Sequence, residues 1–223
     1  MIDRDAAFQT LEAIREFGLL SQPEVAEVRS LFQSCFSFAD AVQLADSIHV
    51  NIKVDDVSRV PLDVIQAGQA SRENEKDGYV KYAFPSGLNL ILSAIPISQD
   101  DLREAKAEYG RPRPFLDHIG IDLRQETAPV RNVFDAIPYL SGKQGWGYAS
   151  QGGAGKPVFC CHVQVAAKHW VYPRNRPSGL SIPLEFAYGP LVINEKQSGC
   201  DLRPSDPQTV SEGSPNATAC CGG

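Results

Sequence analysis

The chain has no excess of positive charge, no long apolar run, no secretory leader pattern and no spread-out cysteine framework. Each absence removes a class of function. With 21 Lys and Arg against 27 Asp and Glu, the formal net charge is −6. That is the wrong sign for general nucleic-acid binding, which draws its affinity from cations on phosphates. No stretch approaches the roughly 20 apolar residues that a membrane-spanning helix needs. The opening Met1-Ile2-Asp3-Arg4-Asp5 has neither the basic nor the apolar region of a secretory signal, so a cytoplasmic protein is expected. The six cysteines are Cys35, Cys160, Cys161, Cys200, Cys220 and Cys221. Four of them form two adjacent pairs, and sequence neighbours bridge only with strained geometry. Such pairs suit metals, metalloids or redox chemistry in a reducing compartment. Cys35, beside Phe32 and Phe36 in a helical pattern, reads as a small core residue.

What is present is enough for a globular core: 223 residues, 43% hydrophobic and 22% charged. Residues 1–47 read as a helical extension. Phe8, Leu11, Ile14 and Phe17 recur at helical spacing up to Gly18. A second helix starts at Ser21-Gln22-Pro23-Glu24, with proline in its first turn and an acid at its positive end. Its stripe is Val25, Val28, Leu31, Phe32 and Cys35, and a shorter helix is expected over 38–45. This segment carries no chemistry of its own; packing or a homodimer contact is the role it suggests.

From residue 48 to 195 the pattern becomes α+β and repeats. Residues 47–54 alternate as a half-buried strand. A helix over 60–70, a charged turn over 72–78 and strands over 79–84 and 88–94 follow. In the second half, residues 117–123 match 48–54 with histidine in the same place. A helix over 128–137 and strands over 145–150, 157–171 and 181–191 come next. A duplicated unit of this order suggests two βαβββ modules, about 48–98 and 115–195, closing around a shared site. The glycine-rich stretch 142–155 suggests a flap. It is no phosphate loop, because Gly155-Lys156-Pro157 lacks the hydroxyl residue and the following helix. Residues 196–223 lack any periodic apolar face and read as a disordered tail ending Cys220-Cys221-Gly222-Gly223.

Three residues stand out as metal ligands: His49, His118 and Glu185. Two imidazoles and one carboxylate on one face of a divalent ion leave positions open for substrate and dioxygen, an arrangement suited to non-haem Fe(II). The repeat brings the two histidines together across a pseudo-two-fold axis. Residues 88–94 contain no carboxylate to match Glu185, so three protein ligands are expected. His162 and His169 are rivals, ranked as supporting or structural. Cys160 and Cys161 lie on the path to Lys168-His169-Trp170-Val171. In a regular strand they point to opposite faces, so a shared ligand requires a bulge or a loop.

With those residues, the chain resembles the vicinal oxygen chelate superfamily (glyoxalases, bleomycin-resistance proteins, extradiol dioxygenases). Within it, the chain is most similar to Fe(II)-dependent carbon–arsenic lyases and their cadmium-inducible relatives. The resemblance runs from His49 to Leu191, through Leu116-Asp117-His118-Ile119-Gly120, Cys160-Cys161 and Lys168-His169-Trp170-Val171 to Glu185. It implies the paired βαβββ fold, and Fe(II) or another divalent metal on His49, His118 and Glu185. It further implies arsenic capture by Cys160 and Cys161, with Lys168 beside the substrate. The expected reaction is dioxygen-dependent cleavage of trivalent organoarsenicals to arsenite. Another enzyme of the superfamily, or a non-catalytic thiol-based metalloid binder, stays open. The helical extension and the loop 173–179 are departures from the compact family pattern.

Overall fold

The computed structural model describes residues 2–33, 43–58, 60–76, 78–94, 114–123, 127–143, 146–152, 158–160, 163–165, 167–172, 182–188 and 192–193. The tail, Cys35, Cys161 and His162, and most of the expected helix over 38–45, lie outside them. Helix α1 (Arg4–Glu16) begins where the Asp3 carboxylate accepts the Ala6 N–H at 3.1 Å. Ala7, Leu11 and Ile14 form its buried stripe, whereas Phe17, expected on that stripe, is the C-cap and is 47% exposed. Helix α2 (Gln22–Gln33) has a capping box. The Ser21 N–H and hydroxyl both donate to Glu24 Oε2 at 2.7 Å. Glu24 Oε1 accepts the Leu116 N–H at 2.9 Å, tying this helix start to a strand 92 residues away. Ala7, Leu11, Ile14, Val25 and Val28 share one apolar core with the sheet. Glu24→Ala removes both the cap and a buried acceptor, and is expected to cost about 2–4 kcal/mol in urea unfolding. Glu24→Gln, which keeps one acceptor, is expected to cost less.

The core of the molecule is an eight-stranded mixed sheet. Its first half comprises β1 (Ser47–Lys53), α3 (Leu62–Ala67), β2 (Ser71–Lys76), β3 (Tyr79–Ala83) and β4 (Leu88–Ser93). Its second half comprises β5 (Phe115–Leu123), α4 (Ala128–Lys143), β6 (Gly147–Gly152), β9 (Ala167–Tyr172) and β10 (Leu184–Tyr188). The strand order is β2–β3–β4–β1–β5–β10–β9–β6. Each half pairs its first strand in parallel with its last, β1 with β4 and β5 with β10. The halves meet where β1 and β5 run antiparallel. The protein is therefore α+β, built of two βαβββ modules. Between β6 and β9 the chain adds β7 (Val158–Cys160) and β8 (Val163–Val165), which form a separate three-stranded sheet with β11 (Val192–Ile193). The expected strand 157–171 is thus three strands in two sheets.

Two sequence expectations need correction. Residues 72–78 are not merely a charged turn: Ser71-Arg72-Glu73-Asn74-Glu75-Lys76 is the outer strand β2, paired with β3. With it the first module has its four strands. A strand without apolar residues escapes a search for alternation, and charge on an edge strand discourages pairing with other chains. The flap suggested for the glycine-rich stretch does not include Gly147–Gly152, which form the edge strand β6, paired with β9, where a strand was also expected over 145–150.

The central strands β1, β4 and β5 are buried along their whole length. Their two faces differ in chemistry. Ile48, Val50, Ile52, Leu88, Leu90, Leu92, Ile119 and Ile121 form the apolar face, continuous with helix residues Ile65, Val130, Phe134 and Ile137. The alternate positions His49, Asn51, Lys53, Asn89, Ser93, His118 and Glu185 are polar, yet also buried. Burying so many polar groups costs free energy unless they are partnered, so this second face is where function is to be sought.

Candidate metal centre

The seam between β1 and β5 positions the two histidines. Val50 lies opposite Ile119, with His49 opposite Gly120 and Asn51 opposite His118. About that centre His49 and His118 occupy equivalent places, each one residue before the central pair. Both side chains project from the same face, because alternation along a strand has period two. They meet diagonally, with Nε2 of His49 3.1 Å from Nε2 of His118. The meeting depends on Gly120: a Cβ built there would fall on the His49 ring itself. The His49 imidazole fills the volume that any other residue at 120 would claim.

Glu185 comes from β10, opposite Gly120 on the other flank of β5. Its Oε2 lies 3.5 Å from His118 Nε2. The equivalent position in the first module is Ile91, which pairs with Asn51 on β4. One donor atom from each of His49, His118 and Glu185 lies within 4.8 Å of the others, and all three residues are buried. Among the described residues, only these three form such a group.

A bulge prepares His118. The register against β1 jumps from Asn51–His118 to Ile52–Leu116, which leaves Asp117 as an extra residue on β5. Breaking the alternation lets neighbouring side chains meet, and Asp117 Oδ2 accepts the His118 Nδ1–H at 2.7 Å. That bond fixes the tautomer and turns the Nε2 lone pair toward His49 and Glu185. His49 is supported more loosely: its Nδ1 is 3.6 Å from Asp122 Oδ2, which accepts the Ser47 hydroxyl at 2.7 Å.

Lys168 grips the carboxylate from the other side. Its ammonium donates to Glu185 Oε1 at 2.7 Å, with both side chains about 97% buried or more. Its Nζ also lies 5.2 Å above the Trp170 ring, and Trp170 packs edge-on against His118 at 5.2 Å. Lys168, expected beside the substrate, is thus a partner of Glu185. Its pull leaves Glu185 Oε2 buried with no hydrogen-bond partner. Metal bonds of about 2.1 Å at angles of about 90–110° put adjacent donors about 3.0–3.4 Å apart. The separations of 3.1 and 3.5 Å match that spacing. Two imidazole nitrogens and one orphaned carboxylate oxygen are the donor set a divalent cation takes.

His169 belongs elsewhere. Alternation puts it on the apolar face, where it stacks on Phe134 at 3.9 Å and meets the Tyr148 hydroxyl at 3.0 Å. Burial lowers its pKa from 6.5 to about 4. The folded protein therefore holds it neutral while the unfolded chain takes up a proton below about pH 6.5. Stability is lost as pH falls from 6.5 toward 4, by at most about 3 kcal/mol once the partial exposure of the ring is allowed for. Urea unfolding at pH 7 and 4.5 should show this loss, and His169→Phe should flatten it.

Of the two thiols, only the backbone of Cys160 is described. Cys160 ends β7 in the small sheet, opposite Val163 on β8. Two residues, 161 and 162, separate that pair and lie outside the described residues. The strand as described ends at the first thiol, and Cys161 lies outside the described residues.

No family model and no curated protein matches the chain. Among solved structures, methylmalonyl-CoA epimerase from Mycobacterium tuberculosis is 13% identical with a TM-score of 0.38, covering 66% of this chain and 89% of that one. A 4-hydroxymandelate synthase variant from Streptomyces coelicolor is 14% identical with a TM-score of 0.32, covering 65% and 49%. A glyoxalase/bleomycin resistance protein/dioxygenase from Alicyclobacillus acidocaldarius is 14% identical with a TM-score of 0.20, covering 65% and 93%. The functional reading therefore rests on the residues themselves. Among the described residues, no helix is long and apolar enough to cross a membrane.

Proposed function

We propose that the chain is a divalent-metal enzyme whose ion is held by His49, His118 and Glu185. In its specific form it is an Fe(II)-dependent lyase that cleaves the carbon–arsenic bond of trivalent organoarsenicals with dioxygen. The observation that carries the metal reading is the orphaned, buried Glu185 Oε2 beside two converging imidazole nitrogens. Bound there, iron would supply the activation of dioxygen, with three protein donors leaving positions open. The chain's own residues do the rest. Asp117 holds the proton on His118 Nδ1, Lys168 fixes the carboxylate through Oε1, and Trp170 keeps water from the His118 side.

The arsenical reading is supported by the Cys160-Cys161 pair and the motif around it. Trivalent arsenic is soft and exchanges its hydroxyls for thiolates, which would hold the bond to be broken near the reacting centre. The balance closes with dioxygen alone. Methylarsonous acid plus dioxygen gives arsenous acid plus formaldehyde, the carbon losing the four electrons that dioxygen gains.

The test is arsenite release from the full chain, loaded anaerobically with Fe(II) and then given methylarsonous acid and air. Release should fall at least about 1,000-fold in Glu185→Ala and about 100-fold in Cys160→Ser or Cys161→Ser. No release from iron-loaded protein sinks the lyase reading. Turnover of another substrate that ignores both cysteine substitutions would mark a ring-cleaving or glyoxalase-like enzyme. Stoichiometric As(III) or Cd(II) binding without dioxygen uptake would mark a sequestering protein.

A further inference from the structure

Lys53 is the second buried lysine of the polar face, and unlike Lys168 it has no carboxylate among the described residues. It is 5% exposed. Strand β1 pairs regularly with β4 through Lys53–Ser93, so Lys53 shares the face of His49 and Asn51. Its Nζ donates to the Ser93 hydroxyl at 3.3 Å, and Ser93 is itself fully buried. An ammonium has three N–H donors and a full charge, and one neutral hydroxyl satisfies a single donor. Among the described residues, no acid comes within ion-pair range of it, whereas Lys168 at the same depth is neutralised by Glu185. A buried cation left without a counter-charge is costly.

The pseudo-symmetry sharpens the point. Lys53 stands three residues past Val50, as Asp122 stands three past Ile119. Where the second module carries an acid, the first carries a base. Along β1, Lys53 is about 13 Å from His49, Cα to Cα, at about 3.3 Å per residue. Nζ is held beside Ser93, the register partner of Lys53, so an anion on it would lie roughly 10 Å from the histidine pair. That is about the span of an aromatic ring with a short carbon chain.

We propose that Lys53, with the Ser93 hydroxyl, is the subsite for a substrate carboxylate, and that the molecule processed at the metal centre is a small monoanionic organic acid bound by its far end; under the arsenical reading it is an organoarsenical bearing a carboxylate, of which methylarsonous acid is only the reacting fragment. One ammonium and one hydroxyl match a monoanion; a phosphate dianion would call for more donors. The inference takes its reacting end from the metal reading above, but its test does not need the metal.

The experiment titrates the chelator-treated full chain with acetate, benzoate and 3-phenylpropionate, and with the corresponding amides, by calorimetry or NMR. At least one carboxylate should bind about ten-fold more tightly than its amide. Lys53→Met should abolish the preference, Lys53→Arg should keep it, and Ser93→Ala should weaken it about three-fold. Should Lys53→Met fail to fold, the wild-type preference and its retention in Lys53→Arg decide. Equal binding of acid and amide, binding of none, or a preference for inorganic phosphate overturns the proposal. A failed metal titration with an intact carboxylate preference would instead count against the metal reading alone.

Discussion

Gly120→Ala is expected to cost at least about 100-fold in divalent-metal affinity while the sheet stays folded. Residues directly opposite in an antiparallel pair have Cβ atoms about 5 Å apart, and the His49 ring uses the space left by the missing one. A methyl group at 120 must push the imidazole off the line to His118 Nε2. Changes to groups that merely orient ligands cost about 10–100-fold; displacing a ligand outright should cost more. Overpacking adds about 1–3 kcal/mol of instability, which thermal unfolding of the metal-free protein would report. The double variant His49→Ala/Gly120→Ala should recover that stability without recovering affinity. Co(II) titration followed by its visible spectrum measures the affinity directly. Unchanged affinity in Gly120→Ala would remove His49 from the donor set.

The second large effect concerns the ion pair behind the site. Lys168→Met leaves Glu185 buried without its 2.7 Å partner, and Glu185→Leu strands the Lys168 ammonium. Either single change should destabilise the metal-free protein by about 3–5 kcal/mol, because a lone buried charge loses compensation along with its partner. Changing both together should cost far less than the sum, since two apolar side chains of similar volume can replace a buried pair at little cost. Metal uptake separates the roles. It should be lost in Glu185→Leu and in the double variant, and the double variant's recovered stability makes that loss a matter of ligation rather than unfolding. Additive costs in this cycle would mean the two side chains do not act as a pair.

How much of this was legible in the sequence depends on what each residue signals. His49 and His118 sit in matching short strands, and that repetition is visible because strand alternation is local. Glu185 is visible because a carboxylate interrupts an apolar run. The strand β2 was not, since Ser71 to Lys76 has no apolar residue and owes its conformation to pairing with β3. Gly120 reads as an ordinary glycine until the cross-strand register sets it against His49. The bulge at Asp117 is likewise a property of two strands, and only it explains how adjacent Asp117 and His118 touch. His169, ranked as supporting or structural, lies on the apolar face, as its parity with Val171 implies. Lys53 looked like one polar residue in an alternating strand; that no acid among the described residues faces it appears only in three dimensions.

One difference between the halves has a consequence for how a substrate must arrive. The two modules share a plan, and a perfectly symmetrical pair would offer an ion two carboxylates and a visitor two indistinguishable approaches. Ile91 breaks that equivalence by standing where Glu185 stands in the other half. An ion held by His49, His118 and Glu185 would have its carboxylate on the second-module side and the apolar Ile91 at the equivalent place in the first. A duplicated frame thereby acquires polarity: a molecule can present its reacting end in one orientation and not in the one related to it by the pseudo-two-fold axis.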